Sequence, residues 1–182
     1  MRAIDGRVRM SAVPWTNVNS WRCSGCGICC KRFEVVLKFN EWLKLVQTYG
    51  AGVTNAGLDK FYLGKRADGS CVFLTATTNV CFCGLQNMKP LACKLWPFKI
   101  SDSPRYGRAS EAAYDYQGRR LYVYVDPFCP ELTYGKPSPA MVYRVIPEFV
   151  EIAMGTREKQ FYSTATPLYD LYPKNSWTRR LI

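Results

Sequence analysis

The segment Trp21–Cys30 reads W-R-C-S-G-C-G-I-C-C and places Cys23, Cys26, Cys29 and Cys30 within eight residues. No other stretch constrains the fold as strongly, because four thiols this close must share what they hold. In C-x-x-C the backbone curls until both sulfurs face one ion or cluster, and glycine supplies the positive φ that the curl needs. Gly25 and Gly27 separate the first three cysteines. A third cysteine at the same spacing, Cys23-x-x-Cys26-x-x-Cys29, is the arrangement in which one loop gives an iron–sulfur cluster three ligands. Cys30 is expected to differ. Adjacent side chains point apart, so the Cys29–Cys30 doublet should lie between two centres or give Cys30 a separate task.

Cysteine usage supports metal over disulfides. The chain has nine cysteines and no histidine. In a reducing compartment clustered cysteines are more often metal ligands than bridges. A disulfide-stapled fold is the competing reading, but an odd count and C-x-x-C-x-x-C-C packing disfavour independent bridges. The N-terminus, M-R-A-I-D-G-R-V-R-M, lacks the apolar core of a secretory signal, and no apolar run approaches the roughly 18–20 residues of a membrane span. A cytoplasmic, soluble protein is therefore expected. At 182 residues, 48% hydrophobic and 21% charged, one domain over 1–182 with a buried core is the simplest organisation.

Taken in order, residues 1–20 read as a basic arm, with Trp15 and Trp21 placed to pin the segment and Pro14 opposing a helix. Val35–Phe39 is β-prone. Asn40 is expected to cap a helix to about Tyr49, closed by Gly50. Trp42, Leu45, Val46 and Tyr49 then form one apolar face, a core stripe rather than a cofactor box. Ala51–Gly57 reads as flexible and Asp68-Gly69 as a turn, with Cys71 leading into a short strand. Pro90 and Pro97 bracket a short helix carrying Cys93. A-A-Y-D-Y, Gln117-Gly118 and R-R-L-Y-V-Y-V read as a β-hairpin. Ser138-Pro139 should start a helix that Pro147 kinks and Gly155 ends. Residues 156–182 form an aromatic, basic tail. The fold class expected is α+β: a small irregular cysteine-rich domain with short helices, a β-hairpin and a C-terminal helix.

Three blocks then become recognisable in order: C23-x-x-C26-x-x-C29-C30, D-G-S-C71-x-F-L, and C83-x-L-x-x-x-K-P-x-x-C93-K-x-W-P-F. They resemble the CxxCxxCC cysteine-cluster family (YkgJ-like), a zinc- or iron-chelating domain, across about residues 21–98, with Cys129 of D-P-F-C-P as the later family cysteine. By that resemblance Cys83 is the family position and Cys81 is not. Lys89 and Lys94 stand where the family has Arg, which keeps charge but loses the bidentate fork. The resemblance implies metal or cluster binding. One branch resembles flagellin lysine methylases, which are much longer chains, so activity does not transfer from the fold.

Setting Cys81 aside leaves Cys23, Cys26, Cys29, Cys30, Cys71, Cys83, Cys93 and Cys129 as candidate ligands. Eight suits two tetrathiolate sites, or one cluster plus a structural cysteine set; the two-site division expected is Cys23, Cys26 and Cys29 with Cys129 or another remote thiol, and Cys30 with Cys71, Cys83 and Cys93. The triplet and the lack of His favour a [4Fe–4S] cluster, with zinc as the alternative. Function then divides three ways. The first is a metal- or cluster-binding protein whose centre is structural or transfers electrons. The second is a basic RNA- or ribosome-associated protein with structural metal, or a member of a larger complex, motivated by the net charge of +11 and interleaved aromatics. The third is a component of a lysine methylation system. No nucleotide loop or acid–base pair supports catalysis, so whether it is an enzyme is left open.

Overall fold

The protein is described by a computed structural model over residues 11–78 and 80–162. The first ten residues of the expected arm, and the expected tail from residue 163 onward, lie outside the described residues. In chain order the elements begin with β1 (Val13–Pro14), β2 (Val18–Trp21), α1 (Ile28–Arg32), β3 (Val36–Leu37), α2 (Phe39–Tyr49), β4 (Thr54–Ala56) and β5 (Phe61–Leu63). They continue with β6 (Leu74–Ala76), β7 (Cys81–Cys83), α3 (Leu91–Leu95) and β8 (Phe98–Ser101). The last are α4 (Ala109–Ala112), β9 (Ala113–Tyr116), β10 (Arg119–Val125), β11 (Leu132–Tyr134) and α5 (Ile146–Met154). Short helices and small sheets make this the α+β, cysteine-rich class expected.

Contacts divide the described residues into two compact units, residues 11–22 with 94–162, and residues 23–93. The first unit is built on β10, whose alternating Leu121, Val123 and Val125 are all buried. Gln117 and Gly118 take the positive φ that a tight hairpin turn demands, and β9 returns antiparallel with Tyr116 opposite Arg119. β8 pairs with β10 from Tyr122 to Val125, and β1 pairs with its last two residues. Trp15 is pinned by its indole N–H to the Ala113 carbonyl at 3.2 Å. Trp21 packs edge-on against Phe98 and Phe149, each with ring centroids 5.4 Å away. The last helical stretch starts at Pro139, where Ser138 Oγ accepts the Met141 N–H at 3.3 Å, widens into one π-type turn over Met141–Val145, and returns to α-helix from Ile146, so the proline distorts the helix without ending it. Pro147, lacking an N–H, cannot continue an α ladder through that turn. Gly155 closes α5 as expected.

The second unit carries the cysteine blocks. Leu37, Leu45, Leu63, Leu74 and Leu85 form its buried core together with Cys71 and Cys81. Each fully buried leucine contributes about 1.5–3 kcal/mol relative to exposure. The α2 stripe faces the core in part: Leu45 is buried and Trp42 stacks on Phe61 at 4.3 Å, whereas Tyr49 at its end is exposed. Two local expectations change here. Asn40 is not the N-cap; the cap is Lys38, two residues earlier, and the Glu41 carboxylate accepts the Lys38 N–H at 2.8 Å. A carboxylate reaching back across three residues suits the positive end of the helix dipole better than an amide. Ala51–Gly57 is not a loose connection. Its Thr54–Ala56 pairs with β5, and β5 pairs with β3, giving a three-stranded sheet.

Candidate metal centre

The loop after β2 is shaped by two glycines. Gly25 and Gly27 adopt φ of +73° and +75°, and a Cβ on Gly27 would lie 2.7 Å from the Cys81 sulfur. The curl points the Gly25 N–H at Cys23 Sγ, 3.4 Å away. The Cys81 N–H donates to the Gly25 carbonyl at 2.7 Å, which fastens β7 to this loop. Cys81 itself is buried against the loop glycines, so its side chain fills the space that Gly27 leaves.

Past Gly27 the chain enters α1, which holds both members of the doublet. Their sulfurs are 3.8 Å apart. The expectation that adjacent cysteines part toward separate centres fails here, because it assumed extended backbone. In a helical turn successive side chains are separated by about 100° rather than 180°, and two short side chains can bring their sulfurs together.

Four cysteines from four separate segments meet at the core of this unit. Cys71 is part of the buried leucine cluster, and Cys30, Cys83 and Cys93 pack against that same cluster. The Cys71 N–H donates to the Cys30 carbonyl at 2.8 Å. Cys83 stands opposite Leu74 on the β6–β7 hairpin. Cys93 sits in the first turn of α3, whose Leu91 N–H donates to Glu41 Oε1 at 2.7 Å, so Glu41 caps α2 with one oxygen and positions α3 with the other. Within this set of four, every pair interacts electrostatically. Cys29 joins the network through Cys30, Cys23 and Cys93.

Burial pushes the thiols of Cys71, Cys83 and Cys93 above their ordinary range, and their mutual repulsion adds to this. In the doublet the two sulfurs share one hydrogen bond, for which either thiol can be the donor. That bond lowers Cys30 to about 7, and Lys89, Lys65 and Lys31 also lower it, against the effect of burial. The same bond, with burial, holds the proton on Cys29. Lys65 Nζ is tied to the Cys30 and Lys31 carbonyls at 3.3 and 3.4 Å. Lys89 is different. It is only 4% exposed and interacts with Cys83, Cys93, Cys23 and Cys29.

Among the described residues no three such side chains already enclose a common point at ligand distance. Segments converge here; the coordination shell is not drawn tight. The donor chemistry nevertheless fits a soft or borderline cation: several thiols, no histidine, and an apolar surround that excludes water. Cys26 is exposed. Cys129 belongs to the first unit, where its buried sulfur accepts the Trp21 indole N–H at 3.3 Å. Sequence reasoning gave the charge at Lys89 but not its burial among thiols, and it did not single out Glu41. The signals available were the K-P dipeptide of the third block and an acidic residue in the first turn of α2.

Residues 22–130, more than half of the chain, match the family described as CxxCxxCC: Putative zinc- or iron-chelating domain, and the chain belongs to that family. Searches of curated proteins and of solved structures returned no match.

Proposed function

We propose that this protein binds a single zinc or iron ion through the thiolates of Cys30, Cys71, Cys83 and Cys93, and that the ion staples the second unit. The observation that carries this reading is the meeting of these four side chains, from α1, the turn before β6, β7 and α3, on one leucine-lined cluster. A tetrathiolate site of this kind contributes folding free energy directly, because the unfolded chain cannot hold the four sulfurs together. Cys23 and Cys29 flank the set, and Cys26 offers an exposed thiol at its loop.

A second reading is an iron–sulfur cluster that draws on Cys23, Cys26 and Cys29. It is favoured by the C-x-x-C-x-x-C spacing and by the Gly25 N–H directed at Cys23 Sγ. Metal and labile-sulfide analysis of anaerobically purified protein separates the two. One equivalent of zinc or iron without sulfide supports the single-ion centre. Brown protein absorbing near roughly 400 nm, with stoichiometric sulfide, supports the cluster instead. Metal far below one equivalent, after every attempt at loading, overturns both.

A further inference from the structure

We propose that Lys89 is a built-in counter-cation of the thiolate centre, placed to offset the negative charge that four thiolates leave on a divalent ion. This rests on the single-ion reading above. A divalent ion held by four thiolates keeps an excess of two negative charges. In an apolar surround that excess is poorly solvated unless a positive group stands close by. Lys89 is the cation in that position.

Three observations place it there. The side chain is buried, at 4% exposure, which is rare for lysine unless anions compensate it. It lies on the bend between the turn Gln86–Met88 and α3, with Cys83 six residues before it and Cys93 four after it. Pro90 follows directly, so the backbone at Lys89 is held extended, and Met88 on its other side packs against the cysteine-bearing cluster. Lastly, the thiols that act electrostatically on Lys89 come from three segments: Cys83, Cys93, and the loop pair Cys23 and Cys29. Lys31 is exposed, so water screens it, and half-buried Lys65 donates to the Cys30 and Lys31 carbonyls.

Lys89 is therefore a positioning and charge-balancing residue and not a ligand. The test titrates chelator-stripped protein with Co²⁺, whose thiolate charge-transfer and d–d bands report tetrahedral sulfur ligation, and then displaces it with Zn²⁺. Lys89→Met and Lys89→Gln remove the charge; Lys89→Arg keeps it. Both neutral variants should bind Co²⁺ about 10–100-fold more weakly, the range typical when an outer-shell partner is lost. Lys89→Arg should stay within about threefold of the parent, because the charge is retained. Lys44→Met, at an exposed position on α2, serves as the control and should change little.

Two neutral variants are used so that a packing defect in one does not decide the outcome. A second readout is the thermal stabilisation on adding Zn²⁺, which should be smaller in the neutral variants even where the metal-free proteins melt together. Neutral variants that bind like the parent overturn the inference and leave the centre standing. So does Lys89→Arg failing as badly as Lys89→Met. If the parent itself shows no tetrahedral Co²⁺ spectrum, the single-ion reading falls and this inference with it.

Discussion

At the scale of single residues, the loop that opens the second unit depends on having no side chain at Gly27. Alanine there would adopt a positive φ, and its Cβ would meet the buried Cys81 sulfur at 2.7 Å. Each of these costs on the order of 1 kcal/mol or more, so Gly27→Ala should lose about 2–4 kcal/mol in denaturant unfolding. Cys30 carries a different signature. In metal-free protein its folded value of about 7 lies below its ordinary 9.0. Between those two values the unfolded chain binds the proton and the folded one does not, so the contribution of Cys30 to stability grows from about pH 7 to 9 and is lost as pH falls through 7. Cys71, Cys83 and Cys93 act in the opposite direction. Their folded values are raised, so their contribution is complete below 9.0 and is lost as pH rises above it. Metal-free protein should therefore show a stability maximum near pH 9 in denaturant melts at stepped pH. A monotonic fall from pH 7 would show that the Cys29–Cys30 bond does not form.

Among elements, α1 was the hardest to foresee from the sequence. Five residues, Ile28–Arg32, are too few for a periodic pattern, and Gly27 at their start is no side-chain cap. Helical backbone nonetheless decides how the doublet works, because it sets the two sulfurs side by side. Roles within the pair then differ. Cys30 meets Cys71, Cys83 and Cys93, whereas Cys29 lies toward Cys23 and Cys93. Cys30→Ser should reduce bound zinc or iron to below about a tenth of an equivalent, and Cys29→Ser should retain most of it, as elemental analysis would show. Equal loss in both would mean that the doublet binds as a unit. Other elements were legible for plain reasons. The Arg119–Val125 strand alternates strictly, and α2 has a four-membered apolar stripe closed by glycine. By contrast Thr54–Ala56 is polar, short and free of branched aliphatics, so only its pairing with β5 makes it a strand.

For the whole molecule, the two units differ in what holds them. The first has an aromatic and aliphatic core around Trp21, Phe98, Phe149 and Tyr124, and Cys129 is its only cysteine. Among the described residues no helix is long and apolar enough to cross a membrane. The second unit places eight of the nine cysteines within residues 23–93. Removing metal should therefore act unevenly. Hydrogen exchange after chelation should rise at amides of β6, β7 and α3, where the proposed ion joins separate segments, while amides of β10 keep their protection. At a ligand concentration 100 times its dissociation constant, binding adds about 2.7 kcal/mol, and that increment should appear in the melting of the second unit. A uniform loss of protection across both units would contradict this division.

The amino-acid sequence by itself determined the chemistry. Nine cysteines without histidine, three of them in a C-x-x-C-x-x-C run with interposed glycines, define a cysteine-cluster chain and its family, because residue identity and local curl are properties of adjacent residues. It also determined the elements with a clear period, the hairpin at Gln117-Gly118 and the helix that starts after Ser138 and ends at Gly155. Tertiary structure alone decided which distant residues meet. That Cys30 lies with Cys71, Cys83 and Cys93, that Cys81 fills the space beside Gly27, and that Lys89 is buried among thiols follow from how β6–β7 and α3 pack on the leucine core. Those arrangements depend on contacts between residues tens of positions apart, for which local spacing carries no signal.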